Sequence, residues 1–191
     1  VFQYTYDLDK ARELLTKAGY PKGGFKLVLT HAAENLNEER FAPVIKDALA
    51  ELGIEVEIRP MLWAQQWELA KGDPTEAQDM FLLLWWPTIS DGYDNLSSMF
   101  KCEEKPFFSL AYYCNEEYDN LINEALRLTA TDPKKAQAMY TQAMNILVED
   151  SPALFLYDTN VFRPVPTYLK GYEYNANYPF STFFYPIRKT Q

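Results

Sequence analysis

The sequence predicts an α/β protein: a three-layer α/β/α lobe on a mixed, mostly parallel sheet, followed by an irregular carboxyl-terminal segment. Three observations predict it. Strand and helix periodicities alternate as β-α-β-α-β over residues 25–86, with the short connections of parallel crossover units. A continuous apolar run, Met80 to Trp86, has the length and character of a strand buried on both faces. Beyond Thr159 the periodicity stops: residues 161–191 hold four prolines and many Tyr and Phe, as in a segment that packs against something else.

Each element has its own signal. Asp7 caps a helix running to Ala18, with Leu8, Ala11, Leu14, Leu15 and Ala18 on one face and Gly19 as its left-handed stop. Phe25 to Thr30 reads as a strand. A second helix, from about Glu38 to Leu52, carries Phe41, Val44, Ile45, Ala48, Leu49 and Leu52 as its apolar stripe and ends at Gly53. Ile54 to Arg59 alternates with a two-residue period, as a strand does, and a short helix follows from Trp63 to Ala70. Pro87 ends the apolar run, and a loop carrying Asp91, Tyr93 and Asp94 comes next. Asn115 caps a helix over Glu116–Leu128. Asp132-Pro133 opens a longer one to about Glu149, with proline at its first position. Ser151-Pro152 stops it before an apolar strand, Ala153 to Tyr157.

Composition bounds the function. At 191 residues, 48% hydrophobic and 24% charged, the chain can bury a sizeable core and is not disordered. Its longest apolar run is too short to span a bilayer. Acidic residues outnumber basic ones 27 to 18, a net charge of −9 that disfavours a nucleic-acid partner. The last thirty residues lean basic, too sparsely for a membrane anchor. Two cysteines, Cys102 and Cys114, lack the pairing of a zinc site and leave two states open, one local bridge or two thiols. The chain opens Val1-Phe2-Gln3 with neither Met nor a leader, which reads as the removal of an earlier segment.

Few residues suggest catalysis. The one histidine, His31, has no nucleophile at a recognisable spacing and reads as a surface or loop residue. No phosphate-binding glycine loop or nucleophile elbow is present, and no metal or other cofactor is expected. Asp91 and Asp94 form the one pair that a carboxylate-dependent hydrolase could use; the alternative is an acidic turn with capping roles. The aromatics are better evidence. Trp63, Trp85, Trp86 and Tyr93 fall at or near predicted strand ends, where ligands of open α/β sheets bind, whereas Trp67 reads as core. Rigid rings stack on a ligand at little entropic cost, and a nearby Asp accepts hydrogen bonds or pairs with a ligand cation.

Four separated stretches together resemble one family. Tyr6-Asp7, Lys10-Ala11-Arg12, Leu14-Leu15 and Ala18-Gly19-Tyr20 look like its first signature. Tyr113, Asn115, Glu117, Tyr118, Asp119, Leu121 and Ile122 look like a second. Asp150, Pro152 and Leu154 to Tyr157 look like a third, with Phe155 where proline is usual, and the strand-to-Trp segment lies between. The family is the extracellular solute-binding proteins of family 5, the oligopeptide-, dipeptide- and nickel-binding receptors of ABC importers.

This resemblance implies a non-catalytic receptor, periplasmic or extracellular, lipoprotein-anchored or soluble, that closes two lobes on a ligand and delivers it to a membrane permease. It implies that residues 1–158 are the carboxyl-terminal lobe of a periplasmic-binding-protein-like fold. Residues 159–191 would then cross back to an amino-terminal lobe of the same polypeptide. Trp63 and Trp86 match cleft-lining positions. The aspartate that receives a peptide amine in relatives aligns, without gaps, with Ile89, so Asp91 or Asp94 takes that role only in a shifted loop. An oligosaccharide stacked on Trp and Tyr is the alternative to a peptide. From another class, a protein-interaction domain would dock through its aromatic tail.

Overall fold

A parallel sheet of three strands, in the order β2 (Glu55–Met61), β1 (Lys26–Ala32), β3 (Met80–Phe81), organises the first part of the chain. The structure, a computed structural model, describes residues 4–86, 88–89, 91–158, 160, 162–175, 178 and 181–190. Chain contacts divide it into two compact units. The first comprises Val1–Trp86 and Cys102–Cys114; the second comprises Pro87–Lys101 and Asn115–Gln191.

In the first unit α1 (Leu8–Lys17) begins where Asp7 accepts a hydrogen bond from Lys10 N, at 2.9 Å. Only Leu8, Ala11 and Leu15 of its apolar face are half-buried; Leu14 and Ala18 are exposed. Strand β1 (Lys26–Ala32) pairs in parallel with β2 (Glu55–Met61) from Lys26↔Glu55 to Ala32↔Met61. Between them α2 (Leu36–Ala50) is capped by Asn35 and starts two residues before the expected Glu38. Leu29, Ala42, Val56 and Leu82 form the core here, with Phe41, Ile45, Leu49, Ile58 and Met80 packed on it. Gly23 and Gly53, both at positive φ, meet where a Cβ on either would strike the other segment's backbone within 2.6 Å. Helix α3 spans Trp63–Lys71.

The Met80–Trp86 run is not a strand buried on both faces. Only β3 (Met80–Phe81) pairs with β1, and one further bond, Leu82 N to Thr30 O at 2.9 Å, extends the ladder. Leu82 is buried but Leu84 is 46% exposed, so beyond the ladder one side of the run is wet. His31 also differs from its reading as a surface residue. It is buried near the end of β1, because that strand continues two residues past Thr30, with Nδ1 3.2 Å from Ala32 O.

The loop expected after Pro87 contains a helix in the second unit, α4 (Gly92–Phe100), which the sequence reading missed. Helices α5 (Glu116–Leu128) and α6 (Pro133–Asp150) start at their predicted caps, Asn115 and Asp132. They pack through Tyr118, Ile122, Ala125, Ala136, Ala143 and Leu147, all nearly inaccessible, and Tyr118 donates its hydroxyl to Leu96 O at 2.8 Å. The strand expected at Ala153–Tyr157 is absent. Leu154 is 76% exposed, and no ladder partner lies beside the segment among the described residues. Farther on, β4 (Leu169–Lys170) and β5 (Arg188–Lys189) pair antiparallel. No helix among the described residues is long and apolar enough to cross a membrane.

Candidate functional site

Parallel strands bring the carboxyl ends of β1, β2 and β3 to one edge of the sheet, and the tryptophans follow from there. Trp63 opens α3 two residues after β2 ends; Trp85 and Trp86 lie just beyond β3. Trp63 is 5.3 Å from Trp67, ring centre to ring centre, one helical turn along α3. Trp67 meets Phe108 edge-on at 5.4 Å, and Phe108 meets Trp85 edge-on at 5.1 Å. Trp63 and Trp85, distant in sequence, thus belong to one chain of ring contacts. These spacings are favourable for aromatic pairs.

Trp63 and Trp86 are each 37% exposed, and Trp85 is half-buried. The Trp85 Nε1 donor is buried with no partner among the described residues, so this residue presents a ring rather than a polar handle. Trp67, read as core from sequence, is half-buried and central to the chain.

Sequence reasoning missed Phe107 and Phe108. They sit in the loop that the Cys102–Cys114 disulfide closes, which settles the alternatives left open for the cysteines. Phe107 abuts Phe108 at 4.4 Å and Trp67 at 6.4 Å, and the Lys71 ammonium lies 5.3 Å from its ring centre. Tyr112 ties the loop down, donating to Ala70 O at 2.7 Å. Two cysteines bracketing Phe107-Phe108 were the available signal, because a closed loop of this size holds its apolar side chains to one patch.

Asp91, Tyr93 and Asp94 belong to the second unit, in and before the first turn of α4. Asp91 Oδ1 accepts from Asp94 N at 2.7 Å, the N-cap arrangement. Asp94 Oδ2 accepts from Ile89 N at 2.9 Å, and its Oδ1 from Ser98 Oγ at 3.4 Å. Tyr93 donates to Asn123 Oδ1 at 3.3 Å. Asp91 is exposed and Asp94 half-buried. These carboxylates organise a helix start.

At the end of β1, burial pushes the Glu38 carboxyl above the usual glutamate range, against the pull of its bond from Ala32 N at 2.7 Å. Asn35 Nδ2 donates to the same carboxyl at 2.8 Å. Glu34 reaches forward from this turn, its Oε1 accepting from Trp63 N at 3.0 Å.

A family model, bacterial extracellular solute-binding proteins, family 5 Middle, matches residues 1–107. The dipeptide-binding protein of Escherichia coli (strain K12) is 30% identical over 178 residues, 90% of this chain and 32% of that protein. Among solved structures, the periplasmic binding protein DppA from Helicobacter pylori, in complex with peptide STSA, superposes with a TM-score of 0.67 at 30% identity. The match covers 80% of this chain and 29% of that one. The oligopeptide-binding protein AppA from Bacillus subtilis, in complex with a nonapeptide, has a TM-score of 0.75 over all of this chain and 39% of its own. At 23% identity it shows a shared fold. The chain therefore spans about a third of the length of the curated relatives it matches.

Proposed function

Because this chain belongs to the bacterial extracellular solute-binding proteins of family 5, we propose that it is the carboxyl-terminal lobe of an ABC importer's receptor, one that captures a peptide or a similarly polar solute. The observation that carries the reading is the Trp63–Trp67–Phe108–Trp85 chain at the ligand-binding edge of an open parallel sheet, in a chain similar to peptide-binding receptors. In the first unit Trp63, Trp85 and Trp86 supply stacking surface; in the second, Tyr93 supplies a ring of its own. Asp91 and Asp94 supply acceptors through whatever their capping bonds leave open.

The protein works outside the cytoplasm, free or held by a lipid anchor, and alters no bond in its ligand. An amino-terminal lobe of the same polypeptide completes the cleft, and residues 159–191 run back to it. Ligand favours the shut form because it touches both lobes only there, and the shut receptor is what the permease recognises.

One observation favours a second ligand class. Both aspartates are already engaged at the start of α4, while the rings are flat and uncharged, which suits a neutral sugar better than a free ammonium. Native mass spectrometry of the complete receptor as purified would identify a retained solute by mass. Titration calorimetry with the peptide Ser-Thr-Ser-Ala and a set of oligosaccharides would then separate the two classes. Turnover of either, abolished by Asp91→Asn, would defeat the receptor reading in favour of a hydrolase.

A further inference from the structure

Among the described residues, five of the six helices carry their own cap. Asp7, Asn35, Asp91, Asn115 and Asp132 each accept a hydrogen bond from the first turn they precede. Helix α3 does not. Its N-cap is Leu62, whose side chain has no acceptor, and its first turn holds no acidic residue. The acceptor comes instead from 29 positions earlier: Glu34 Oε1 takes the N–H of Trp63, at 3.0 Å.

We infer that Glu34 is a positioning residue for Trp63, capping α3 from the neighbouring β1–α2 turn and so fixing the ring that opens the aromatic chain. The turn is built to hold Glu34 still. Ala33 N donates to Met61 O at 2.8 Å, tying the ends of β1 and β2 together just before Leu62. Asn35 N returns to Ala32 O, and buried Glu38 holds both Ala32 N and the Asn35 side-chain amide. Glu34 itself remains exposed, its carboxylate at the positive end of the α3 dipole. A negative charge there stabilises the first turn, and that turn carries the Trp63 backbone.

Without the cap the first turn frays, and Trp63 loses its fixed approach to Trp67, 5.3 Å away with planes at 42°. The consequence for ligand rests on the receptor reading above; the consequence for the ring pair does not. Two close, tilted indoles produce an exciton couplet in far-ultraviolet circular dichroism. It is isolated here as the difference between the complete receptor and its Trp63→Phe variant.

Glu34→Ala should remove about half or more of that couplet, whereas Glu34→Gln, which keeps an acceptor oxygen, should retain most of it. Asp7→Ala is the control: it uncaps α1 at a similar stability cost and should leave the couplet intact. Affinity for Ser-Thr-Ser-Ala should fall about threefold to tenfold in Glu34→Ala and within about twofold in Glu34→Gln. An undiminished couplet in Glu34→Ala, an equal loss in Asp7→Ala, or no couplet in the parent overturns the assignment. If the couplet responds as expected while the parent binds no peptide, the positioning role stands and the peptide reading falls.

Discussion

The aromatic patch of the first unit and the acidic turn of the second spend their side chains differently. Around α3, Trp63, Trp67, Phe107, Phe108 and Trp85 touch one another by faces and edges, and Trp63 keeps over a third of its surface open. At the start of α4, Asp91, Tyr93 and Asp94 already hold Asp94 N, Asn123 and Ile89 N. Ring packing is not saturated by neighbours, because a stacked ring still offers a second face. A hydrogen-bonding group is consumed by each partner it takes. The two regions therefore differ in what they leave open: the rings keep a free face, whereas the aspartates mainly set the shape of the helix start.

The most severe way to break this contrast is to remove the ring at the centre of the patch. Phe108→Ala should cost about 2–4 kcal/mol in urea unfolding, since Trp67 and Trp85 both lose their partner. A cost below about 1 kcal/mol would mean the patch is not a packed unit. Opening the loop comes next: Cys102→Ser with Cys114→Ser should cost about 3 kcal/mol by chain entropy, with a red-shifted tryptophan emission as Phe107 and Phe108 loosen.

The third comparison sharpens the acidic side. Asp91→Ala should cost about 1 kcal/mol in stability, and Asp91→Asn, which still caps, a few tenths. In the complete receptor, Trp63→Ala should weaken ligand binding roughly tenfold or more while Asp91→Asn stays within about threefold. Equal losses from Asp91→Asn and Asp91→Ala would show that the charge itself meets the ligand.

The smallest effects are electrostatic, and they carry opposite signs within the first unit. Arg59 and Lys26 hold Glu57 down to about 2, so between its ordinary 4.5 and that value the folded chain binds fewer protons than the unfolded one. Its stabilisation is complete above pH 4.5 and is lost as pH falls towards 2. Glu38, raised by burial, does the reverse: above the ordinary glutamate value the folded chain binds more protons, and stability declines as pH rises through the folded value. Melting temperature against pH should therefore flatten on the acid side in Glu57→Gln. Glu38→Gln should lose the decline above the ordinary glutamate value. Water still reaches about a third of the Glu57 side chain and half of Arg59, so its slope should be shallow.

Helix starts were the most legible part of the fold. Asp7, Asn115 and the Asp132-Pro133 pair each mark a boundary because capping is local chemistry, decided by three or four consecutive residues. Strands were less legible, because an apolar run records burial and not the presence of a neighbour to pair with. Met80–Trp86 and Ala153–Tyr157 read alike, yet the first pairs for two residues and the second for none among the described residues. Helix α4 hid behind Asp91 and Asp94, because an acidic pair reads equally as ligand groups and as the start of a helix, and Asp91 is the cap of one. In the candidate site the tryptophans were visible one by one. Phe108, which joins two of them, was not: the flanking cysteines could mark a closed loop, but nothing local foretells that it folds onto a helix about forty positions behind it.

The chain leaves the first unit after Trp86, returns at Cys102 and departs again after Cys114. A polypeptide emerging from its amino terminus cannot finish this unit when the sheet is complete; it must wait until residue 114 is free. Until then Trp67 and Trp85 stay without Phe108, a greasy surface laid bare while the chain is still being made. Closure of the Cys102–Cys114 bond would mark the moment at which that exposure ends, making the oxidation step a natural clock for maturation of the first unit.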